Sequence, residues 1–291
     1  MNSGVTTMAK SIYIMLYVTF VMVMTVMGIQ ALFDGEAFLP WVAILLTCAP
    51  MALFLARVMI LQNTARTSAN LLFITILAVG GAGLGSALAL FDFNGFLAPS
   101  LAVAGCAFLL IYTLWYSVLD RSESQLSTGE TLPAFNLQNS DGAAIASDSF
   151  KGSATILIFY RGNWCPLCVA QVKEMAAAYN DLKEQGARVI FVSPQPQGHT
   201  RSLAKKFGAS GLEFLRDEDN VAAKSLGIFS KFGTPMGMQA LGYDSDTVLP
   251  TVIICDTAGE ILWTHETDNY RVRPEPATYQ AVLNGTYKAV A

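Results

Sequence analysis

Four long apolar stretches in the first 120 residues constrain this chain more than any other feature. They occupy residues 11–33, 38–56, 69–91 and 95–119, and each is close to the roughly 20 residues that an α-helix needs to cross a bilayer core. Only seven charged residues precede residue 121, whereas most of the 18 Lys and Arg and 22 Asp and Glu residues follow it. Residues 1–120 are therefore predicted to form an α-helical membrane domain of four transmembrane helices, with the lipid bilayer as a partner.

The charges that flank these stretches predict an orientation. Cationic residues stand before the first stretch, around the second connection and after the fourth stretch, at Lys10, Arg57, Arg66 and Arg121. The other two connections carry only acidic residues. Because cytoplasmic loops of membrane proteins are enriched in Lys and Arg, we expect both termini, and the domain that follows the helices, to face the cytoplasm of an inner or plasma membrane.

The membrane half contains a tandem hairpin repeat. Residues 31–49 (ALFDGEAFLPWVAILLTCA) and 89–107 (ALFDFNGFLAPSLAVAGCA) align without gaps, as expected of a duplicated two-helix unit. The repeat places Cys48 and Cys106 at matching depths, so they form a candidate intramembrane thiol pair. We favour the simpler interpretation that both are small apolar side chains. Gly81 and Gly85, four residues apart, predict close helix packing.

The second half is predicted to be an α/β domain. Residues 121–131 are polar and unpatterned and are interpreted as a linker, and residues 132–291 form the domain. A hairpin at 135–146 precedes buried strands at 154–160 and 188–192, and strands at 251–255 and 261–265 precede a last helix at 276–283. Helices at 165–185, 200–207 and 220–226 separate the strands. This alternation predicts a mostly parallel sheet.

The chemistry is concentrated in a Cys-x-x-Cys motif. Cys165 and Cys168 lie at the predicted boundary between a buried strand and a helix. The first sulfur is therefore at the helix N-terminus, where the macrodipole and free N–H groups stabilise a thiolate. Cys165 is the candidate nucleophile and Cys168, one turn later, the candidate resolving thiol. A zinc site is disfavoured because the domain has no second paired motif, and we expect no metal and no organic cofactor.

Three segments resemble a known family. The runs FYRGNWCPLCVAQV, LPTVIICDTAGEILWTH and DNYRVRPEP are similar to the peroxiredoxin-like branch of the alkyl hydroperoxide reductase C/thiol-specific antioxidant (AhpC/TSA) family, within the thioredoxin-fold superfamily, and the resemblance covers about residues 130–290. It implies a peroxide-reactive Cys165, a disulfide with Cys168 and a thioredoxin-type reductant. It also implies a cis-proline at Pro250 beside the Cys pair. The backbone next to that proline, at Leu249 and Thr251, would then bind an extended substrate.

The chain also departs from that family. Ile158 and Gly162 stand where typical peroxiredoxins have Pro and Thr, and Pro250 takes the place of their peroxide-activating Arg. The supporting residues expected near the sulfurs are Arg161, Trp164 and Pro166. Arg161 is either a group that lowers the Cys165 pKa or binds peroxide, or a surface cation, and Trp164 is expected to shield Cys165. Arg271 and Arg273 are expected to tie the last helix to the sheet through carboxylates such as Glu275, and binding of a substrate anion is the less favoured alternative.

Three functions remain open at this stage. The first is a membrane-anchored peroxidase that reduces hydroperoxides through a Cys165 sulfenic acid resolved by Cys168. The second is a thioredoxin-like reductase of protein disulfides, and the third is a non-enzymatic membrane redox sensor or scaffold. Nucleic acid is not expected as a partner, because the chain has a net charge of −4 and a pI near 5.2 and so lacks the cationic surface that phosphate backbones require.

Overall fold

The computed structural model describes residues 3–91, 97–208 and 211–287. The chain divides into two compact units. The helical unit comprises Ala9–Leu61 and Thr67–Val118, and the α/β unit comprises the described parts of Met1–Met8, Gln62–Arg66 and Leu119–Ala291. Each unit has its own set of buried side chains.

The helical unit is built from long apolar helices. They are α1 (Ser3–Phe33), α2 (Phe38–Leu61), α3 (Leu72–Phe91) and α4 (Leu97–Ile111), the last continued by a π-helical turn at Tyr112–Tyr116. By length and composition, four described helices are able to cross a membrane. Helix α2 runs beyond the predicted end at residue 56 because residues 58–61 are again apolar. Part of the second repeat copy, residues 92–96, lies outside the described residues.

Small residues bring the helices close together, as the spacing of Gly81 and Gly85 predicts. A Cβ atom at Gly81 would lie 2.7 Å from the carbonyl oxygen of Ala43 in α2, and one at Gly85 would lie 3.0 Å from the Cβ of Ala102 in α4. A side chain at Gly81 would therefore clash with α2, and one at Gly85 would be in tight contact with α4, as in other closely packed membrane helices. The predicted close packing at these glycines is therefore confirmed.

Aromatic rings join α1 to the end of α4. Tyr17 stacks on Phe108 with ring centroids 5.9 Å apart and lies 5.5 Å from Tyr112. Tyr13 meets Trp115 edge-on at 5.8 Å. Offset and edge-on ring pairs of this kind add stabilisation beyond that from buried area, so this cluster anchors the first helix to the fourth.

The α/β unit contains a seven-stranded sheet in the order β2-β1-β5-β4-β3-β8-β9. Its strands are β1 (Asn136–Gln138), β2 (Ala144–Ala146), β3 (Ala154–Phe159), β4 (Ala187–Ser193), β5 (Glu213–Arg216), β8 (Thr251–Cys255) and β9 (Ile261–His265). Strands β6 (Phe229–Ser230) and β7 (Thr247–Val248) form a separate pair. The helices are α5 (Pro166–Glu184), α6 (Gln197–Lys206), α7 (Val221–Ser225) and α8 (Pro276–Leu283).

The sheet is mixed rather than mostly parallel, which corrects the prediction. Among the strands of this sheet that the structure describes, only the pairs β3–β4 and β4–β5 are parallel. The pairings of β1 with β2 and β5, of β3 with β8 and of β8 with β9 are antiparallel. The short turns at 139–143 and 256–260 join neighbouring strands, and so short a connection allows only antiparallel pairing. The residue ranges of β8 and β9 agree with the prediction. The alternation of strands and helices along the sequence did not indicate that these two strands pair antiparallel with their neighbours.

The central strands are buried on both faces, as their continuous apolar sequences predict. Residues 156–158 of β3 and 190–192 of β4 are fully buried, and their side chains point alternately to the two faces of the sheet. One face forms a core with Phe135, Leu226 and Ile253. The other face is covered by the buried side of α5, which includes Val172 and Met175.

Residues 121–131 do not behave as the predicted linker. Leu126 packs against the core of the α/β unit, Thr131 forms a bridge with Glu260, and the N–H of Gly129 donates to the Ile261 carbonyl at 2.8 Å. The segment is polar in composition, but its apolar Leu126 packs against the core and its backbone groups form hydrogen bonds within the unit. It therefore forms part of the domain surface.

The packing at Gly81 predicts the effect of a side chain there. Gly81→Leu is expected to lower the stability of the helical unit by about 1–3 kcal/mol, because overpacking forces helices apart. Gly80→Leu is the matched control, since a Cβ at Gly80 meets nothing within 4 Å. Thermal unfolding of both variants in detergent should show a lower midpoint for Gly81→Leu alone, and equal midpoints would contradict the packing described here.

Candidate active site

The two cysteines of the motif lie at the start of α5. Cys165 is the N-cap residue, in extended conformation, and Pro166 occupies the first helical position, where its missing N–H costs nothing. The Cys165 carbonyl accepts hydrogen bonds from the N–H groups of Cys168 and Val169 at 3.0 and 3.1 Å. Both cysteines are free thiols and both are buried, with Cys165 only 3% exposed.

A glycine shapes the approach to Cys165. Gly162 has φ = 143°, and a Cβ there would lie 2.9 Å from Nε1 of Trp164, so only glycine fits. The next residue is held from the other side, since Oε1 of the buried Gln195 accepts from the Asn163 N–H at 2.9 Å. Gln195 also donates through Nε2 to the Tyr160 hydroxyl at 2.9 Å. The loop between β3 and α5 is thus fixed at both ends.

A buried guanidinium lies against both sulfurs. Nη2 of Arg273 is 3.3 Å from Sγ of Cys168 and 3.9 Å from Sγ of Cys165. The other Arg273 donors go to neutral acceptors, with Nη1 2.7 Å from Oε1 of Gln171 and Nε 3.2 Å from the Tyr270 carbonyl. Arg273 was expected to pair with carboxylates near the last helix, and this expectation was wrong. Within residues 3–91, 97–208 and 211–287, no carboxylate forms an ion pair with it.

The two thiols are linked by a hydrogen bond that Cys165 donates to Cys168. Burial alone raises the pKa of Cys168, but the hydrogen bond from Cys165 and the positive charge of Arg273 outweigh burial and bring that pKa well below its ordinary value. The pKa of Cys165 lies well above its ordinary value, because its hydrogen is donated to Cys168 and because it is buried. Arg273 therefore favours a thiolate at this pair, and Cys168 is the sulfur closer to its guanidinium.

Arg161 and Trp164 form the outer part of the site. The Arg161 guanidinium lies over the Trp164 ring, 4.6 Å from its centroid, and 5.6 Å from that of Tyr270. Cation–π contacts of this kind hold both side chains in place. Arg161 also acts to lower the pKa of Cys165, although less strongly than Arg273 does. Arg161 is thus a half-buried part of the site and not a free surface cation.

The segment around Pro250 differs from its expected role. No peptide bond is cis in the described parts of the chain, the Leu249–Pro250 bond included, so the expected cis-proline is wrong. The backbone of Leu249 is also occupied, since its N–H donates to the Ile228 carbonyl and its carbonyl accepts from Oγ1 of Thr251. Arg121 donates to Oγ1 of Thr251 at 2.8 Å. The Leu249 N–H is therefore not available to an extended substrate, and the substrate-binding role of Leu249 and Thr251 stays a prediction. Pro250 and Thr251 line a small cavity beside Arg273.

A second arginine holds the backbone that carries Arg273. Arg66, within the same compact unit, donates to the carbonyls of Arg273 and Pro274 at 3.1 Å each. It also forms a bidentate pair with Glu174 of α5. Glu275, expected to pair with Arg271 or Arg273, lies 3.6 Å from Arg66 instead.

The intramembrane candidates, Cys48 and Cys106, occupy neighbouring positions in the helical unit. A Cβ at Gly105, the residue before Cys106, would lie 3.0 Å from Sγ of Cys48. Both thiols are buried and neither forms a disulfide. Their crosslinking on oxidation remains a prediction. In the described parts of the chain, no three His, Cys, Asp or Glu side chains are grouped closely enough to hold a metal ion.

Sequence reasoning missed Arg273 and Gln171 as site residues. Both lie in motif runs that carry the family resemblance, and Gln171 stands one turn after Cys168 on α5, which is a usable signal. Arg273 is more than 100 residues from the cysteines, and nothing local indicates that its side chain turns inward. Only the return of the chain after β9 brings it to the sulfurs.

A strand–helix junction that carries a buried dithiol under an arginine defines a thiol redox domain of the thioredoxin fold. Residues 128–264 match the AhpC/TSA family, which supports a thioredoxin-fold, peroxiredoxin-like domain in this part of the chain.

Two relatives of similar sequence carry the name peroxiredoxin Q. The chain is 32% identical over 126 residues to "Peroxiredoxin Q, chloroplastic" of Triticum aestivum, covering 43% of this chain and 58% of the relative. It is 28% identical over 137 residues to the protein of that name from Populus jackii, covering 47% and 64%. The chain thus spans about three fifths of the length of these relatives. Peroxidoxin BcpB from Mycobacterium tuberculosis aligns with a TM-score of 0.46 at 18% identity, covering 56% of this chain and 100% of that structure.

The contact between Arg273 and the sulfurs predicts a pH effect. A nearby positive charge lowers a thiol pKa by about 1–3 units, so Arg273→Met should move the midpoint of thiol alkylation to higher pH by about one unit or more. Arg273→Lys, which keeps the charge, should move it less. Iodoacetamide alkylation rates of the full chain, measured from pH 4 to 10, would show this, and a profile of Arg273→Met that overlays the wild type would contradict the assignment.

Proposed function

We propose that this chain is a membrane-anchored, thiol-dependent peroxidase that uses Cys165 as the attacking sulfur and Cys168 as the resolving sulfur. The observation that carries this proposal is the buried dithiol with the Arg273 guanidinium on both sulfurs. A guanidinium stabilises a thiolate and can also donate to a peroxide oxygen. The names of the relatives, which are peroxiredoxins, support the same reaction.

Burial of the sulfurs favours a hydroperoxide over a protein disulfide as the oxidant. Cys165 is 3% exposed, and a protein disulfide would have to bring its own sulfur and the surrounding backbone into contact with it. A thioredoxin-like reductase also needs a free backbone edge beside its cysteines, whereas the Leu249 N–H already donates to the Ile228 carbonyl. A small hydroperoxide needs neither feature, so we assign it as the substrate.

The first step uses the hydrogen bond between the two sulfurs. The proton passes from Cys165 to Cys168, and the Cys165 thiolate attacks the terminal oxygen of the hydroperoxide. An S–O bond forms, the O–O bond breaks, and the alkoxide leaves with the proton from Cys168 as an alcohol. Cys165 becomes a sulfenic acid, and Cys168 is again the thiolate that its contact with Arg273 favours.

The second step forms the disulfide. The Cys168 thiolate attacks the sulfur of the Cys165 sulfenic acid, the S–S bond forms and the S–O bond breaks, and hydroxide leaves as water with a proton from solvent. A thioredoxin-type dithiol then reduces the disulfide. Arg273 supplies a guanidinium in a chain that has Pro250 where typical members carry their arginine, and this accounts for activity despite that departure.

Peroxide consumption by the full chain tests the proposal. In detergent, with a thioredoxin-type reducing system, the wild type should show many turnovers per chain. Cys165→Ser should show none, because it lacks the attacking sulfur. Cys168→Ser should form a sulfenic acid that dimedone traps but should turn over slowly or not at all.

Two outcomes would overturn this assignment. No turnover together with rapid reduction of a model protein disulfide would establish the reductase instead. No turnover with either substrate, while the Cys pair still oxidises once, would establish a redox sensor or scaffold.

We also propose that the four apolar helices anchor the chain in an inner or plasma membrane, with the thiol domain in the cytoplasm. Their length and composition support this, as does the placement of Lys and Arg. The full chain should stay in the pellet after extraction with alkaline carbonate. Protease added to sealed cells should leave the C-terminal domain intact, whereas the same protease added to inverted vesicles should cleave it. The reverse pattern would place the domain outside.

A further inference from the structure

Gln171 connects the sulfur pair to a buried tyrosine through Arg273. Its Oε1 accepts from Nη1 of Arg273 at 2.7 Å, and its Nε2 lies 3.2 Å from the Tyr279 hydroxyl. Gln171 lies on α5, one turn after Cys168. The side chains of Cys168, Gln171, Arg273 and Tyr279 are all buried. The contacts therefore form a continuous chain from the sulfurs through the guanidinium and the amide to the phenol.

The chemistry of the groups fixes the orientation of the amide. A guanidinium has donors and no acceptor, so the Gln171 atom that faces Arg273 must be the oxygen. The amide nitrogen then faces Tyr279 and donates to its hydroxyl oxygen. With Nη1 held by Gln171 and Nε held by the Tyr270 carbonyl, the planar guanidinium has one orientation left, and that orientation points Nη2 at the sulfurs.

The partner that orients Arg273 is neutral, and this is the unusual feature. Buried arginines are commonly held by carboxylates, which give short, charge-assisted pairs. A carboxylate at position 171 would hold the guanidinium as well as the amide does, but it would also offset the positive charge next to the sulfurs. The amide fixes geometry while leaving that charge in place.

Other titratable groups also face this cluster. Arg161 and Tyr160 face the cysteines, and His265 and Tyr279 face Arg273. Further out, Glu174 and Arg66 act on Tyr279 with opposite signs. Within the described residues none of these brings a carboxylate into a direct pair with Arg273, so a Glu introduced at position 171 would be the first carboxylate there.

We propose that Gln171 is a positioning residue whose neutral oxygen aims Arg273 at Cys165 and Cys168 and leaves its positive charge to stabilise a thiolate there. This role rests on the proposed thiol chemistry of the pair. It separates two properties that usually come together, the orientation of a buried arginine and the neutralisation of its charge.

Gln171→Glu tests the proposal because it keeps the size and the acceptor but adds a negative charge. In the full chain in detergent, the midpoint of iodoacetamide alkylation should move up by about one pH unit, and the rate near pH 6 should fall roughly tenfold. Gln171→Met, which has no acceptor and no charge, should shift the midpoint less. Gln185→Glu, the same change at the exposed end of the same helix, should match the wild type.

Three results would overturn the proposal. They are a Gln171→Glu profile that overlays the wild type, equal shifts for Gln171→Glu and Gln171→Met, and an equal shift for Gln185→Glu. Equal shifts at position 171 would mean that Gln171 acts by packing alone. Unfolding midpoints measured on the same samples show whether each variant is folded.

Alkylation also separates this proposal from the proposed function. If the wild type consumes no peroxide but Gln171→Glu moves the alkylation midpoint, the positioning role stands and the peroxidase assignment fails. If the wild type turns over peroxide but the midpoint does not move, the peroxidase stands and the positioning role fails.

Discussion

The burial of one positive charge beside two sulfurs governs the architecture of this site. Removing a guanidinium from water is costly unless it is paired and fully hydrogen-bonded. Arg273 meets this demand with two neutral acceptors, Gln171 and the Tyr270 carbonyl, and with the Cys pair itself. The thiolate is therefore the counter-ion of Arg273 as much as Arg273 is the activator of the thiolate. Each charge makes the burial of the other tolerable, which explains why both lie almost out of reach of solvent.

The rest of the α/β unit serves to bring these two charges together. Strand β3, buried on both faces, delivers the chain to Gly162, and α5 begins at Pro166 with both sulfurs in its first turn. The hairpin of β8 and β9 then returns the chain so that Arg273 arrives from the far end of the sequence, and Arg66 holds its carbonyl. The antiparallel direction of β8 is essential to this path, since it sets the edge of the sheet from which the last segment departs.

The sequence predicted what depends on local pattern. Apolar runs and turn residues placed β3, β8, β9 and α8 within one or two residues, and the Cys-x-x-Cys spacing at a strand–helix boundary located the sulfurs. It did not predict what depends on distant contacts. The direction of β8, the trans peptide before Pro250 and the inward turn of Arg273 are decided by parts of the chain that lie far from these residues. Arg121 illustrates this, because its position after the fourth apolar stretch does not indicate that it donates to Thr251 and to the carbonyl of Pro250.

The counter-ion relation between Arg273 and the Cys pair also bears on redox poise. When the two sulfurs form a disulfide, the negative charge disappears, but the guanidinium stays buried between neutral acceptors. The oxidised form loses the electrostatic stabilisation that the reduced form has, so the reduction potential of the couple rises, as in dithiols whose reduced state is specifically stabilised. A donor therefore returns electrons to this disulfide with a larger driving force. In the proposed peroxidase cycle, the same charge that stabilises the thiolate would thus also favour reduction of the disulfide.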